Sequence, residues 1–180
     1  MTDSETPDAY GTLSEPATLT LRRLLPGPIE RCWAYITDSA LRAQWLAAGE
    51  MTLELGAGFE LTWRNSELTD PPGACPPGMT GRHIMRSRIT ELDPPRRIAF
   101  TWDESGDVSF ELEPQDGGGG QVLLTVEHRR LPRRGMIVGV GSGWHAHLDL
   151  LVARLEGVQP PPFWDGFGRL RTEYDRRIPA

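Results

Sequence analysis

The stretch from Arg97 to His128 reads RIAFTWDESGDVSFELEPQDGGGGQVLLTVEH. Apolar residues fall at every second position: Ile98, Phe100 and Trp102, then Val108, Phe110 and Leu112, then Val122, Leu124 and Val126. A period of two is that of a strand with one buried face. Turn-forming residues separate the runs, including Asp116 followed by four glycines. Strands joined in sequence by turns predict an antiparallel meander with one apolar face.

Upstream, Arg82 to Leu92 reads as another strand, ending in the turn Asp93-Pro94-Pro95. Charge decides its register. With Met85, Ser87 and Ile89 inward, Arg86 and Arg88 stay in water; the opposite register buries two arginines without partners. His83 then faces inward as well. Phe59, Leu61 and Trp63 share a face of the preceding strand, behind the tight turn Gly56-Ala57-Gly58 and a short strand from Met51 to Leu55. Between these strands lies Asn65 to Gly81, an unpatterned segment with Pro71-Pro72, Gly73, Pro76-Pro77 and Gly78. It exceeds ordinary loop lengths, which marks either a functional lid or a floppy insertion.

Ala17 to Leu25 alternates too, with Leu19 and Leu21 on one side and Thr18, Thr20 and Arg22 on the other. Pro26-Gly27-Pro28 breaks this first strand. Pro28 suits the first position of a helix, and Ile29, Cys32, Trp33 and Ile36 follow at helical spacing. Asp38 or Ser39 can cap a second short helix carrying Leu41, Trp45 and Leu46. Residues 1–15 are polar, with Pro7 and Gly11, and read as a mobile tail.

Past His128 the period changes. Trp144, Leu148, Leu151, Val152 and Leu155 mark one face of a long helix from about Gly135 to Glu156, stopped by Gly157. Gly139 and Gly143 lie one turn apart on it, where a sheet or a ligand can approach closely. Pro160-Pro161-Pro162 is a stiff spacer. Trp164, Phe167, Leu170, Tyr174 and Ile178 then form an apolar stripe on a terminal helix. Such a stripe either docks back on its own domain or serves a homodimer.

The meander needs a cover, and residues 135–156 form the only long amphipathic element available. The predicted architecture is α+β, a helix-grip fold: a curved antiparallel β-sheet wrapped around a long C-terminal α-helix, with two short helices after strand 1. Residues 1–15 are its tail, 16–158 the domain and 159–180 a helical extension. A sheet bent around one helix tends to leave space between them, and concave apolar space is where small molecules bind.

Composition excludes several functions. The net charge of −6 gives no electrostatic excess toward phosphate. The pairs Arg22-Arg23, Arg96-Arg97, Arg129-Arg130 and Arg133-Arg134 are scattered, so no nucleic-acid partner is expected. Every basic residue is arginine. Without lysine no Schiff base can form, which excludes lysine-dependent covalent catalysis and pyridoxal phosphate attachment. There is no phosphate-binding loop of the Walker type. Cys32 and Cys75 make no disulfide framework. His145 and His147 are two apart on a helix and point about 200° apart, so they cannot chelate one metal. No Cys/His cluster has zinc spacing, and neither metal nor cofactor is expected. No signal-like stretch and no membrane-length apolar run is visible, so the cytoplasm is the expected location.

Several phrases, in order, carry a resemblance. They are Pro28-Ile29-Glu30-Arg31-Cys32-Trp33 with Thr37-Asp38 and Trp45; Gly58-Phe59 with Trp63; Gly81; Glu91 to Ile98 with Phe100 and Trp102; and Gly143-Trp144 with Leu148, Leu151 and Leu155. Together they resemble the activator-of-heat-shock-protein-90-ATPase homologue-like domains. These belong to the START-like superfamily, with the birch-pollen allergen, polyketide cyclases and lipid-transfer domains. The resemblance runs from about Ala17 to Gly157. It implies a helix-grip domain with a ligand cavity, or, from the family name, a chaperone partner.

Three functional readings follow. The first is a non-catalytic protein that holds a small apolar or amphipathic molecule between sheet and helix. The expected lining is Phe59, Leu61, Trp63, Phe100, Trp102, Phe110, Leu124, Trp144 and Leu148. The second is a cyclase- or dehydratase-like enzyme with a cavity histidine as general base. Strand phase places His83 and His128 inward, with Glu127 nearby as the remaining candidate. The third is an interaction protein with a filled core. An open apolar interior, an open polar one and a full one distinguish the three.

Overall fold

Each alternating run between Arg97 and His128 becomes a strand. The computed structural model describes residues 6–14, 17–79, 81–103, 106–116 and 120–180. Its elements are β1 (Thr12–Ser14), β2 (Thr18–Pro26), α1 (Ile29–Thr37), α2 (Ser39–Arg42), β3 (Gly58–Trp63), β4 (His83–Asp93), β5 (Arg97–Thr101), β6 (Asp107–Pro114), β7 (Gln121–Arg129), α3 (Arg134–Glu156) and α4 (Phe163–Arg177). The strands form one antiparallel sheet in the order β1-β2-β7-β6-β5-β4-β3. A register shift between Ile89 and Glu91 interrupts β4, the kind of bulge that bends a sheet. Among the described residues no helix is long and apolar enough to cross a membrane.

The helix-grip expectation holds. Leu21, Leu61, Ile98, Val108, Leu124 and Val126 are buried on the sheet's inner face, and Leu148 and Leu151 of α3 are buried with them. Met85, Ser87 and Ile89 are buried while Arg86 and Arg88 are exposed, the register that charge requires. Asp38 caps α2, accepting the Leu41 N–H at 2.9 Å. Gly157 ends α3 in the left-handed region at φ 70°, and the Val158 N–H closes on the Ala153 carbonyl at 3.0 Å.

Two features differ from the sequence reading, and two others bear on alternatives it left open. The expected strand at Met51 to Leu55 does not form. Residues 52–55 are exposed, so their alternation has no core to face. Ala48 takes the place beside β3, exchanging two hydrogen bonds with Thr62 at 3.0 and 2.8 Å. The 1–15 segment is not tail throughout. Residues 1–5 and 15 lie outside the described ones, but Thr12–Ser14 pairs with the edge of β2, where unpaired backbone groups favour a further strand. Behind β1, the Gly11 N–H donates to the Tyr174 hydroxyl at 2.8 Å.

The first open alternative concerns residues 65–81. Their first half is fastened and not floppy. Phe163 N–H donates to Thr69 Oγ1 (3.0 Å), Trp164 N–H to the Pro72 carbonyl (2.9 Å), Trp164 Nε1–H to Ser66 Oγ (3.0 Å) and Ala74 N–H to Asp165 Oδ1 (2.8 Å). Period analysis misses this because the partners are single backbone and side-chain groups at the start of a distant helix. The second is α4 itself. Trp164, Phe167, Leu170, Tyr174 and Ile178 are buried against the chain's own α3 side. The stripe docks back, so these side chains are not available as a homodimer contact. Each large apolar side chain so buried contributes roughly 1.5–3 kcal/mol. With the sheet on one side and α4 on the other, α3 is buried beyond its one expected face, at Ile137, Val138, Ser142 and His145 as well.

Candidate functional site

A cavity of about 710 Å³ opens where the first half of α3 meets α4 and the ends of β3 and β4. That volume falls within the roughly 300–1,000 Å³ of small-molecule pockets. Four of the six tryptophans line it: Trp63, Trp102, Trp144 and Trp164. Leu46, Met85 and Phe167 add apolar wall. Gly139 and Gly143 of α3 leave part of the wall without side chains; a Cβ placed on either meets nothing within 4 Å. The mouth is formed by exposed residues: Gly78, Met79, Gly81, Arg82, His83, Asp103 and Arg171.

Of the nine expected lining residues, Trp63, Trp102 and Trp144 reach this cavity. Phe59, Leu61, Phe100, Phe110, Leu124 and Leu148 do not; they are packed core. The reason is a file of rings. Phe59 meets Phe100 edge-on at 5.3 Å, Phe100 stacks on Phe110 at 5.9 Å, and Phe110 meets Trp144 at 5.5 Å. These rings fill the middle of the space between sheet and helix, and the remaining volume is displaced toward α4. Trp164, Phe167, Arg171 and His147 are the lining residues that strand phase missed.

The histidines divide by what holds them. His128 is fully buried, with its ring 5.0 Å from Trp102 and 6.5 Å from Trp144, and it does not line the cavity. Trp144 Nε1–H donates to His128 Nδ1 at 3.1 Å. An indole N–H can only donate, so the Nδ1 lone pair is used and Nε2 carries the hydrogen. Burial lowers the His128 pKa to about 4. A ring without a free lone pair, sealed behind tryptophans, is not a cavity base, which corrects the sequence expectation. Glu127 points to the other face of β7 and pairs with Arg129. His83 does reach the site, at its exposed mouth, with its ring 5.6 Å from that of Trp63.

His147 has the opposite tautomer. Its Nδ1 lies 2.7 Å from the Trp45 carbonyl oxygen. A carbonyl only accepts, so Nδ1 carries the hydrogen and Nε2 presents a lone pair. The residue is 6% exposed and lines the cavity. Burial lowers its pKa to about 4, only partly offset by the Trp45 bond, so it is neutral at pH 7. His145 lies away from the cavity. Its Nδ1 is 3.2 Å from the Tyr174 hydroxyl and its Nε2 3.6 Å from Asp149, with the pKa lowered to about 3, chiefly by burial. Among the described residues no group of His, Cys, Asp and Glu could hold a metal ion.

Comparison with known proteins joins this geometry to a family. The family model for activator of Hsp90 ATPase homolog 1-like proteins matches residues 26–156. The chain belongs to that family. Among solved structures, this family member is similar to the protein encoded by gene BPP1335 of Bordetella parapertussis. The two are 35% identical with a TM-score of 0.77, over 97% of this chain and 93% of that one. It is also similar to CalU16 of Micromonospora echinospora (18% identity, TM-score 0.64, 95% and 96% covered). A conserved protein of unknown function from Enterococcus faecalis, EF2215, is comparably similar (18%, 0.64, 93% and 88%). The last two likenesses show the shared fold. No curated protein matches the chain significantly. The family match ends with α3, so Trp164, Phe167 and Arg171 enter the cavity wall from beyond it.

Proposed function

We propose that this protein binds a small apolar or amphipathic molecule in the cavity between α3, α4 and the β3–β4 edge. The observation that carries the reading is a cavity of about 710 Å³ walled by four tryptophans within an otherwise filled core. Aromatic walls bury much apolar area on a ligand and orient it through ring edges and faces. Arg82, His83, Asp103 and Arg171 at the mouth suit a polar end that remains in water. A chaperone partner would have no use for such volume, and the fate of His128 removes one base the enzyme reading relied on.

The test is native mass spectrometry of the protein purified from the organism that encodes it. The expected result is a non-covalent small molecule that leaves on unfolding. A Gly143→Leu variant, whose leucine enters the cavity, should carry none. No adduct on the wild-type protein, or equal adduct on both proteins, overturns the proposal.

A further inference from the structure

We infer that the cavity takes a planar aromatic molecule bearing a hydroxyl group, and that His147 accepts the hydrogen bond from that hydroxyl. This rests on the binding reading above and specifies the class of ligand.

The starting observation is an acceptor in the cavity wall that no protein group serves. His147 is 6% exposed, and its Nδ1–H is committed to the Trp45 carbonyl at 2.7 Å. Nε2 therefore carries a lone pair, and among the described residues it has no hydrogen-bond partner. Nε2 is not sealed from the cavity, so it is within reach of whatever fills that space, and a ligand hydrogen completes its pairing there. The imidazole is neutral at pH 7 because burial lowers its pKa to about 4, so the lone pair is present under working conditions. Its ring lies 4.9 Å from that of Phe163.

The surroundings select what brings the hydrogen. Gly143 precedes His147 by one helical turn and Gly139 by two, and both line the cavity without side chains. The approach along this side of α3 is therefore open. The same cavity wall carries Trp63, Trp102 and Trp144, with centroids 5.5 Å apart for the first pair and 5.2 Å for the second. Their planes are inclined by 65° and 54°, so ring edges and faces alternate along the wall, and an aromatic guest can meet both in edge-to-face contact. An ammonium donor is disfavoured by burial, and the mouth, with Arg82 and Arg171 against Asp103, offers a cation no net attraction. A carboxylate at the inner end would set acceptor against acceptor. A hydroxyl needs only one acceptor for its hydrogen, and His147 supplies one.

The test is isothermal titration with two probes, 6-hydroxy-2-naphthoate and 6-methoxy-2-naphthoate. They share the ring and the outer carboxylate, and only the first can donate. Wild-type protein should bind the hydroxy compound about tenfold more tightly, the worth of one hydrogen bond to a buried acceptor. In His147→Leu the ratio should fall below about twofold, with the methoxy affinity little changed. His147→Gln, which restores a carbonyl acceptor, should recover part of the preference. Equal affinities in the wild type, or a preference that survives in folded His147→Leu, overturns the inference while leaving the cavity as a binding site. Failure of both probes to bind the wild type also overturns the inference, while the bound molecule sought by native mass spectrometry still decides the binding reading. If His147→Leu does not melt cooperatively, the wild-type ratio and its change in His147→Gln decide.

Discussion

Acid should destabilise this protein steeply, well before its carboxylates protonate. His128, His145 and His147 are buried at 0%, 4% and 6% exposure, and burial lowers their pKa values to about 4, 3 and 4. In the unfolded chain each titrates near pH 6.5. Between these limits the unfolded state binds protons that the folded state refuses, so stability falls as pH falls. The loss begins near pH 6.5 and ends near the folded values. From pH 7 to pH 5 each histidine costs about 2 kcal/mol, and the three together about 6 kcal/mol. That rivals the entire stability of many domains, about 5–15 kcal/mol. Asp149, which burial holds above the ordinary carboxylate range, acts in the opposite sense. The assay is urea unfolding followed by tryptophan fluorescence at pH 7, 6 and 5. With a slope near 3 kcal/mol per molar urea, the midpoint should fall by about 2 M. His145→Asn should reduce the shift by about one third. A midpoint that moves by less than about 0.5 M between pH 7 and 5 would refute the reasoning.

Tyr174→Phe removes the acceptor for the Gly11 N–H and the hydroxyl bonded to His145. It should cost about 1–3 kcal/mol in urea unfolding and speed hydrogen exchange at the Gly11 amide; unchanged exchange there contradicts the contact. Arg42→Ala strands the carbonyls of Ile36, Thr37 and Gly49, which the buried guanidinium now serves. A loss of about 3 kcal/mol or more is expected, and a loss under about 1 kcal/mol would show that those carbonyls find other partners. Gly143→Leu should raise stability by up to about 1 kcal/mol through helix propensity while abolishing ligand binding, since a Cβ there meets nothing within 4 Å. A stabilised variant that still binds would place the ligand elsewhere.

Strand phase was enough to put Phe100, Trp102 and Phe110 on the inward side, and helical spacing Trp144, because each period separates faces without knowledge of the partner. It could not say whether that inward space is filled. Phe59, Phe100, Phe110 and Trp144 occupy it by contacts between strands and helix far apart in sequence. The cavity's position depends on α4, whose apolar stripe is visible in the sequence but whose docking partner is not. His128 is inward, as its phase requires, yet one hydrogen bond from Trp144 removes it as a base. His147 reads in the sequence as a polar residue on the Leu151 face. Its free nitrogen appears only when the Trp45 carbonyl, 102 positions away, is seen to hold the other. Gly139 and Gly143 were the sequence's one hint to the open side of α3, through their spacing of one turn.

The most direct test of ligand binding in this cavity is supplied by the protein's own tryptophans. Trp63, Trp102, Trp144 and Trp164 line the cavity, whereas Trp33 and Trp45 do not. Their six indole N–H signals can be followed in ¹H–¹⁵N spectra while 6-hydroxy-2-naphthoate is added. The account predicts saturable shifts in the four cavity signals and little movement of the other two. Equal shifts in all six, or movement confined to Trp33 and Trp45, would contradict it.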